Sequence, residues 1–437
     1  MTSAFLTRRA ALLAAMASSL LIAACGGGGG NDAGNTTVRA LNLTSDLASV
    51  DLFTGDTKRF SAQATDALST SINFEANTYT LNVKRAGDGT TLLTGSYALS
   101  KDKHYTAIVW GRETALRLST LPEDENVDEI ATGNTRVRVF NATTDTGTVD
   151  IFLTTPTASL ADTAETQGAL GSGSLSGFRE ISAGTYRLRV TGEKNPNDVR
   201  LDIPAITLDA KKYATIVITA GAGGVLVNGT LIQQQGNATA LRGGKARVRL
   251  AAGVNDAASV SATVGGVTVS GSVASPRVGG YVLVNAGTAD LTVRVNGVIS
   301  STTSRTFAEG GDYTVMAYGT ALASQVALLS DDNRLPSTAT RAKLRLVNGV
   351  EGSGPLTLSL DFQPLQPSDI AVGAASTYYA ADSTSASRIE ISSLSATAPL
   401  FLQAGTTTDK LLQSQGVYTV FMLGGGVTPT GVFRRDR

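Results

Sequence analysis

A fourfold internal repeat constrains the fold of this 437-residue chain more than any other feature. Four segments align along the sequence, beginning at Val38 (VRALNLTSDLASVDLF), Val137 (VRVFNATTDTGTVDIF), Val248 (VRLAAGVNDAASVSAT) and Leu344 (LRLVNGVEGSGPLTLS). Their starts lie 99, 111 and 96 residues apart. A unit of this length that recurs in tandem predicts several small domains with the same fold.

Each repeat also carries a tyrosine-containing segment near its end. The four segments are KHYTAIVW, KKYATIVI, GDYTVMAY and GVYTVFML, with Tyr105, Tyr213, Tyr313 and Tyr418. Segments such as TYRLRV, residues 185–190, alternate polar and apolar side chains with the period of a half-buried strand. Many short strands separated by glycine and asparagine turns predict an all-β chain of tandem immunoglobulin-like antiparallel β-sandwich domains.

The repeats and the composition of the stretches between them predict the domain boundaries. A lipoprotein signal peptide, a glycine-rich tether and four sandwich domains are expected to occupy residues 1–24, 25–35, 36–131, 135–242, 245–337 and 341–437.

The first 25 residues have the features of an export signal. Arg8 and Arg9 precede an uncharged run, residues 10–24, that is shorter than the roughly 20 apolar residues of a membrane-spanning helix. The run ends in LIAACG, which resembles the lipobox of bacterial lipoproteins. That resemblance implies cleavage between Ala24 and Cys25 and attachment of lipid, including a palmitate-type acyl chain, to Cys25. The alternative is an ordinary secretory signal with an incidental cysteine.

A lipid on Cys25 would place the protein in the cell envelope. Two or more acyl chains hold a protein stably on a membrane, and Cys25, as the sole cysteine, has no partner for a disulfide within the chain. Gly26 stands where an aspartate signals inner-membrane retention in enteric bacteria, so we expect the outer membrane. The sequence leaves open which side of that membrane the domains face, and whether export follows the general or the twin-arginine route.

Three of these segments resemble a known family. VRVFNATTDTGTVDIF, AGTYRLRV (183–190) and YATIVI resemble the domain of unknown function 4397 family, found in tandem in bacterial secreted proteins and lipoproteins. The resemblance is weaker in the third and fourth repeats, where Ser261 and Thr357 or a neighbour replace the aspartates Asp51 and Asp150. It implies a small immunoglobulin-like β fold with no established activity and contributes no catalytic residues.

The composition argues against nucleic-acid binding and against common catalytic centres. Basic and acidic residues are balanced at 36 each, with no basic stripe of the kind that binds a polyanionic strand. His104 is the sole histidine, so any nucleophile and base pair would have to include it. A zinc site usually needs three or four histidine, cysteine or carboxylate ligands. We therefore expect no enzymatic activity, no cofactor and no metal.

Three further features admit two interpretations each. His104 and Trp110 share one face of a predicted strand and form either a ligand-binding patch or an ordinary strand surface. The acidic segments 121–129 and 330–333 are either calcium sites between domains or solvated linkers. The repeated Asp51 and Asp150 either line a polar outer face or make a hydrogen bond that fixes a turn.

The sequence therefore predicts a non-enzymatic, lipid-anchored cell-envelope protein with a structural or protein-interaction role. The alternative is a carbohydrate-binding or adhesive surface module. The expected partners are the membrane, through Cys25, and either another envelope protein or a glycan. We expect the four domains to form an extended array of separate domains, which would reach on the order of 150 Å from the anchor.

Overall fold

The computed structural model describes residues 34–365, 369–383, 387–394, 396–406, 409–425 and 429–437. The described chain is built from short β-strands and two single-turn 3₁₀ helices, Glu113–Ala115 and Val127–Glu129. The predicted all-β class is confirmed. No helix within the described ranges has the length and apolar character needed to cross a bilayer.

The strands of the first two repeats are numbered in chain order. The first repeat contains β1 (Asn35–Thr44), β2 (Ser49–Thr54), β3 (Thr57–Ala64), β4 (Ile72–Glu75), β5 (Asn77–Arg85), β6 (Thr91–Leu99), β7 (His104–Gly111) and β8 (Arg117–Pro122). The second contains β9 (Asn134–Ala142), β10 (Val149–Thr154), β11 (Gln167–Leu170), β12 (Arg179–Ser182), β13 (Gly184–Gly192), β14 (Asn195–Leu208), β15 (Tyr213–Ala220), β16 (Val227–Gln233) and β17 (Ala238–Leu241).

The last two repeats continue the same numbering. The third contains β18 (Lys245–Val254), β19 (Ser259–Val264), β20 (Val267–Ala274), β21 (Arg277–Val278), β22 (Val282–Asn285), β23 (Gly287–Val295), β24 (Val298–Phe307), β25 (Asp312–Gly319) and β26 (Ser324–Asp331). The fourth contains β27 (Arg341–Glu351), β28 (Leu356–Leu360), β29 (Gln363–Pro364), β30 (Ala374–Ala375), β31 (Tyr379–Asp382), β32 (Arg388–Ser393), β33 (Phe401–Ala404), β34 (Val417–Gly425) and β35 (Thr430–Arg435).

Each repeat forms two sheets that face each other across a hydrophobic core. One sheet of each repeat, here called the outer sheet, has the order β3-β2-β5-β6, β11-β10-β13-β14, β20-β19-β23-β24 or β29-β28-β32-β33. The other, here called the stacking sheet, is centred on the pair β1-β7, β9-β15, β18-β25 or β27-β34. In domain 1 the core lies between Val38 and Ala40 of the stacking sheet and Val50 and Leu52 of the outer sheet. The prediction of tandem β-sandwiches is therefore confirmed.

One strand pair in every domain departs from the antiparallel pattern. The central pair of each stacking sheet is parallel, with Val38 beside Tyr105 in the first domain and Leu344 beside Tyr418 in the fourth. After the first strand of each domain, the chain forms the outer sheet. It then returns to the end of the stacking sheet at which the first strand starts. Parallel neighbours require a crossover connection of this kind.

The stacking sheets are covered on both faces. Leu41, Leu43 and Trp110 of domain 1 pack against Phe140 and Val217 of domain 2. In the second half of the chain, Ala251 and Met316 of domain 3 pack against Val347, Phe421 and Leu423 of domain 4. The domains therefore form two face-to-face pairs, and the expectation of an extended array of separate domains is wrong. The physical reason is that these strands carry apolar side chains on both faces, and the outward apolar face must also be buried.

The two pairs meet through loops of domains 2, 3 and 4. The amide of Gly223 in domain 2 donates to the carbonyl of Gly310 in domain 3 at 2.7 Å, and the amide of Asn333 donates back to Gly223 at 3.0 Å. The guanidinium of Arg437 donates to the carbonyls of Asp145 at 3.3 Å and Asn333 at 3.2 Å. Burial is the main reason that the pKa of Arg437 falls to about 10.

Candidate functional site

The predicted cleavage and lipidation residues, Ala24 and Cys25, lie outside the described residues. The described chain begins at Gly34, one residue before β1. Cleavage and lipidation therefore stay predictions from the sequence.

His104 is the first residue of β7 and is held by Asp124. The Nδ1 atom of His104 lies 2.6 Å from Oδ1 of Asp124, whose other carboxylate oxygen accepts the backbone amide of His104 at 2.8 Å. The His104 side chain is about half exposed. This pairing fixes the start of β7 beside the segment that follows β8.

Trp110 does not form an exposed patch with His104. Its side chain points to the face predicted from the alternation, but that face is covered by domain 2, leaving Trp110 only 6% exposed. Its ring packs edge-to-face on Phe140, with centroids 5.4 Å apart, and its Nε1 donates to Ser119 at 2.9 Å. His104 and Trp110 therefore do not form one exposed ligand-binding patch, because the Trp110 ring belongs to the contact between two domains.

The acidic segments contain buried residues with defined partners. Glu123 directly follows the last strand of domain 1 and Asp331 is the last residue of the last strand of domain 3, and both side chains are shielded from solvent. Each accepts hydrogen bonds from a buried arginine and from a threonine. Glu125, Asp128 and Glu129, in contrast, are exposed. The interpretation of the whole segments as solvated linkers is therefore wrong for Glu123 and Asp331, and within the described ranges no group of three metal-ligating side chains is present.

A buried arginine occurs at the same position of the first strand in all four domains. Its Nε atom donates to a threonine on the parallel neighbour strand at 2.8 to 3.1 Å. The four pairs are Arg39–Thr106, Arg138–Thr215, Arg249–Thr314 and Arg345–Thr419. The guanidinium groups lie on the face of the stacking sheet that meets the neighbouring domain, so each arginine is positioned to contact residues outside its own sandwich.

In the second half of the chain these residues form a closed ring of hydrogen bonds, here called the domain 3–4 ring. Domain 3 contributes Arg249, Thr314 and Asp331, and domain 4 contributes Arg345, Thr419 and Asp436. Thr314 donates to Asp331 and Thr419 donates to Asp436, both at 2.6 Å. Nη2 of Arg249 donates to Asp436 at 3.1 Å, which closes the ring, while Arg345 pairs with Asp331.

The charges of the domain 3–4 ring stabilise one another. Burial lowers the pKa of Arg249, but its electrostatic interactions with Tyr281, Asp436 and Asp331 outweigh burial and raise the pKa overall. Burial raises the pKa of Asp331, but Arg345 and Arg249 more than compensate and hold it below its ordinary value. The hydroxyls of Thr314 and Tyr281 satisfy further hydrogen-bonding positions of Asp331.

The corresponding arrangement between domains 1 and 2 is incomplete. Arg39 and Thr106 both bind Glu123 at 2.6 Å, as their counterparts bind Asp331. The position that corresponds to Asp436 is Gln235, and Arg138 donates instead to the carbonyl of Pro122 at 3.3 Å. Burial accordingly lowers the pKa of Arg138, with partial compensation from Glu125 and Glu123.

Asp51 and Asp150 fix local backbone turns, as one of the two interpretations of the sequence expected. Asp51 accepts the amide of Ala62 at 2.6 Å, and Asp150 accepts the amides of Ala169 and Lys194 at 2.7 Å. All three amide donors have positive φ, a conformation that is uncommon for residues other than glycine. The aspartates therefore hold bulges and turns in the outer sheets.

The buried arginines and their partners are the functional residues that sequence reasoning missed. The arginine recurs in every repeat as the second residue of VRAL, VRVF, VRLA and LRLV, which is a signal in the printed sequence. A charged residue inside a strand that is otherwise apolar on both faces points to a buried ion pair. The donors and acceptors of these buried arginines and their partners are occupied by one another. Their chemical role is therefore to hold one domain against the next.

Comparison with protein families gives one match. The model of the family described as "Domain of unknown function (DUF4397)" matches residues 36–152 and 246–359, which together cover more than half of the chain. Each match spans the first domain of a pair and the beginning of the second. A search of curated proteins gave no match.

Comparison with solved structures gives only distant similarity. A family CBM26 module from Eubacterium rectale Amy13K, solved with maltoheptaose, is 11% identical, with a TM-score of 0.14 over 47% of this chain and 95% of the module. The pneumococcal glycogen-degrading virulence factor SpuA is 8% identical, with a TM-score of 0.16 over 83% of this chain and 37% of SpuA. The Bacillus anthracis TIE protein is 9% identical, with a TM-score of 0.15 over 87% and 66%. Scores this low carry no inference about function.

Proposed function

The chain belongs to the DUF4397 family, and we propose on this basis that it is a non-enzymatic, lipid-anchored protein of the cell envelope that binds another envelope protein. The lipid is carried by Cys25 and the membrane is the outer membrane. The observation that carries the interaction role is a long, accessible sheet edge in domain 3, presented by a body whose domains are fixed to one another.

The accessible edge is β24. It is ten residues long and pairs only with β23 among the described strands. Its first two residues, Val298 and Ile299, are exposed apolar side chains. An unpaired edge of this length is a template on which a partner strand can add by main-chain hydrogen bonds, and apolar side chains at its end add specificity.

The pairing of domains supports a scaffold that presents this edge away from the membrane. Asn35, the start of β1, lies at the end of domain 1 remote from the loop that follows β7. The corresponding loop of domain 2, around Gly223, contacts Gly310 of domain 3. The domain 1–2 pair therefore lies between the proposed tether and domain 3, and the tether is attached at the far end of that pair.

The non-enzymatic part of the proposal is supported by the use of the few reactive side chains. His104 is bound to Asp124, and Cys25 is assigned to lipid. The buried carboxylates Glu123 and Asp331 are engaged by arginines. The glycan-binding alternative loses its motivating residue, because Trp110 lies between domains 1 and 2.

Cys25→Ser tests the anchor. Cells grown with an alkyne analogue of palmitate should label the unmodified protein, whereas Cys25→Ser should remain unlabelled and leave the membrane fraction. Ser19→Ala, which leaves the lipobox unchanged, is the matched control. Equal labelling or equal membrane retention of Cys25→Ser would refute lipidation at this residue.

In-cell photo-crosslinking tests the interaction role. A photoreactive residue at Thr302, exposed on the edge strand β24, should capture one reproducible envelope protein. The same residue at Thr80, exposed on the central strand β5 of another outer sheet, is the control and should not capture it. Absence of a specific adduct at Thr302, or the same adducts at both positions, would overturn the proposed interface. Protease accessibility on intact cells then reports which side of the membrane presents β24.

A further inference from the structure

A second accessible feature lies where the domain 1–2 pair meets domain 4. It is a cleft of about 940 Å³. Three parts of the chain line it: loops of domains 1 and 2, the junction between domains 3 and 4, and the start of domain 4. Ligand sites of soluble proteins commonly occupy clefts of this size at domain interfaces.

The cleft concentrates positive charge in a chain whose charges are balanced overall. Six cationic side chains line it against two carboxylates, Asp145 and Asp332. The six are Arg112, Arg117, Arg334, Arg341, Lys343 and Arg345. Because the whole chain has equal numbers of basic and acidic residues, this excess is a local property of the cleft.

Some of these cations are occupied by partners within the protein. Arg112 is buried and bound to Asp145 and to the carbonyl of Gly221. Arg345 belongs to the domain 3–4 ring, and Lys343 donates to Asp332 and to two backbone carbonyls. These residues set the potential of the cleft but have few donors left for a ligand.

Three arginines retain donors. Arg117 is exposed, has no ion-pair partner among the described residues, and makes one hydrogen bond, to the carbonyl of Leu116 at 3.3 Å. Arg334 donates from Nε and Nη2 to Asp332, which also pairs with Lys343. These two cations and one carboxylate together carry one net positive charge. Arg341 is exposed and pairs through Nε with the well-exposed Asp382.

The ionisation of Asp332 reflects this positive potential. Burial raises its pKa, but the hydrogen bond from Arg334 and the charge of Lys343 lower it to about 2. Hydroxyl groups complete the wall of the cleft and include Thr114, Thr144, Ser172, Ser337 and Thr377. Guanidinium groups with hydroxyl neighbours suit phosphate and carboxylate groups, which accept several hydrogen bonds at once.

We propose that the cleft binds a small anion carrying at least two phosphate or carboxylate groups. Arg117 belongs to domain 1 and Arg341 to domain 4, so a ligand that contacts both needs an acidic group at each end. Such a ligand bridges the two domain pairs. The site is separate from the β24 edge, and binding there depends neither on the lipid nor on the envelope partner.

The single tryptophan provides the readout. Trp110 lines the cleft and is the only tryptophan in the sequence. The tryptophan fluorescence of the full-length protein therefore comes from this region. Titrations with tripolyphosphate and with trigalacturonate should each change the fluorescence saturably, and the tighter of the two identifies the acidic group preferred. Orthophosphate should bind at least tenfold more weakly, and the neutral maltotriose should give no change.

Arg117→Gln and Arg341→Gln should each weaken binding of the preferred probe about tenfold, because each removes one charge-assisted contact. Arg305→Gln, which removes another exposed arginine, on β24, is the matched control and should bind unchanged. Raising the salt concentration should weaken binding of both polyanions. Unsaturable changes, equal effects of all three variants or equal response to maltotriose would overturn the proposal. Failure of the β24 crosslink would leave these outcomes unaffected.

Discussion

Arg249 of domain 3 and Asp436 of domain 4 form an ion pair in which both side chains are fully excluded from solvent. The residues are separated by 187 positions in the sequence. Each also contacts a threonine on a strand of its own domain. The ion pair therefore connects the stacking sheets of the two domains and not merely two loops. The link between the domains is therefore sensitive to the loss of either charge.

Replacing Asp436 with alanine should destabilise the protein by about 3 kcal/mol, because the buried Arg249 charge loses its closest carboxylate and keeps only Asp331, at 3.4 Å, which Arg345 also engages. Urea unfolding measures the change. Asp382→Ala removes a carboxylate from an exposed pair with Arg341 and should cost about 1 kcal/mol or less. Similar costs for the two variants would contradict the closed ring described between domains 3 and 4.

Phe140→Ala should destabilise the contact between domains 1 and 2 by about 3–5 kcal/mol, because it leaves a cavity beside Trp110. The midpoint of thermal unfolding should fall. Phe362→Ala, which truncates a phenylalanine that is 69% exposed, is the matched control and should change stability by about 1 kcal/mol or less. A negligible effect of Phe140→Ala would mean that the stacking sheets do not pack as described.

Asp150→Ala should cost about 1–3 kcal/mol, because the amides of Ala169 and Lys194 lose their acceptor. Urea unfolding and hydrogen exchange at these two amides measure the effect, and exchange should accelerate at both. The exposed Asp162, substituted in the same way, serves as the control and should leave stability and exchange unchanged. Unaltered exchange in Asp150→Ala would refute the turn-fixing role.

Acid should weaken the junction between domains 3 and 4. The pKa of Asp332 is about 2 in the folded chain against an ordinary value of 3.8, because Arg334 and Lys343 outweigh the effect of burial. A carboxylate whose pKa is lowered on folding stabilises the fold fully above the ordinary value and loses that contribution as the pH falls to the folded value. The free energy of unfolding should therefore decrease from about pH 4 to about pH 2. Asp332→Asn should show a shallower decrease over this range, and an unchanged slope would contradict the assignment.

The sequence was sufficient to predict the sandwich class, and it offered the turn-fixing role as one of two interpretations of Asp51 and Asp150. Both follow from local patterns: alternation predicts strands, and the recurrence of Asp51 and Asp150 at one strand position suggests a structural requirement. The repeats at Val38, Val137, Val248 and Leu344 also correspond to the first strands of four similar sandwiches. These properties depend on residues that are close together in the chain.

The contacts between domains could not be predicted in the same way. The alternation correctly placed His104 and Trp110 on one face of β7, but it gave no information on what covers that face. Similarly, the acidic composition of residues 121–129 suggested solvent, whereas Glu123 meets Arg39 from a strand more than 80 positions earlier. Which surfaces meet is decided by complementarity across long sequence separations. A recurring arginine within an apolar strand was the available local sign.

The two halves of the chain repeat the pairing and not only the sandwich. The family match begins at residue 36 in one half and at residue 246 in the other, and in each half it extends from a first domain into a second. Glu123 and Asp331 occupy equivalent places at the end of the first domain of each pair, whereas the equivalent places at the end of the second domain hold Gln235 and Asp436. Each half of the chain is therefore built as the same two-domain unit. In one copy of this unit a carboxylate of the second domain closes the contact between the sandwiches, and in the other copy a glutamine occupies that position.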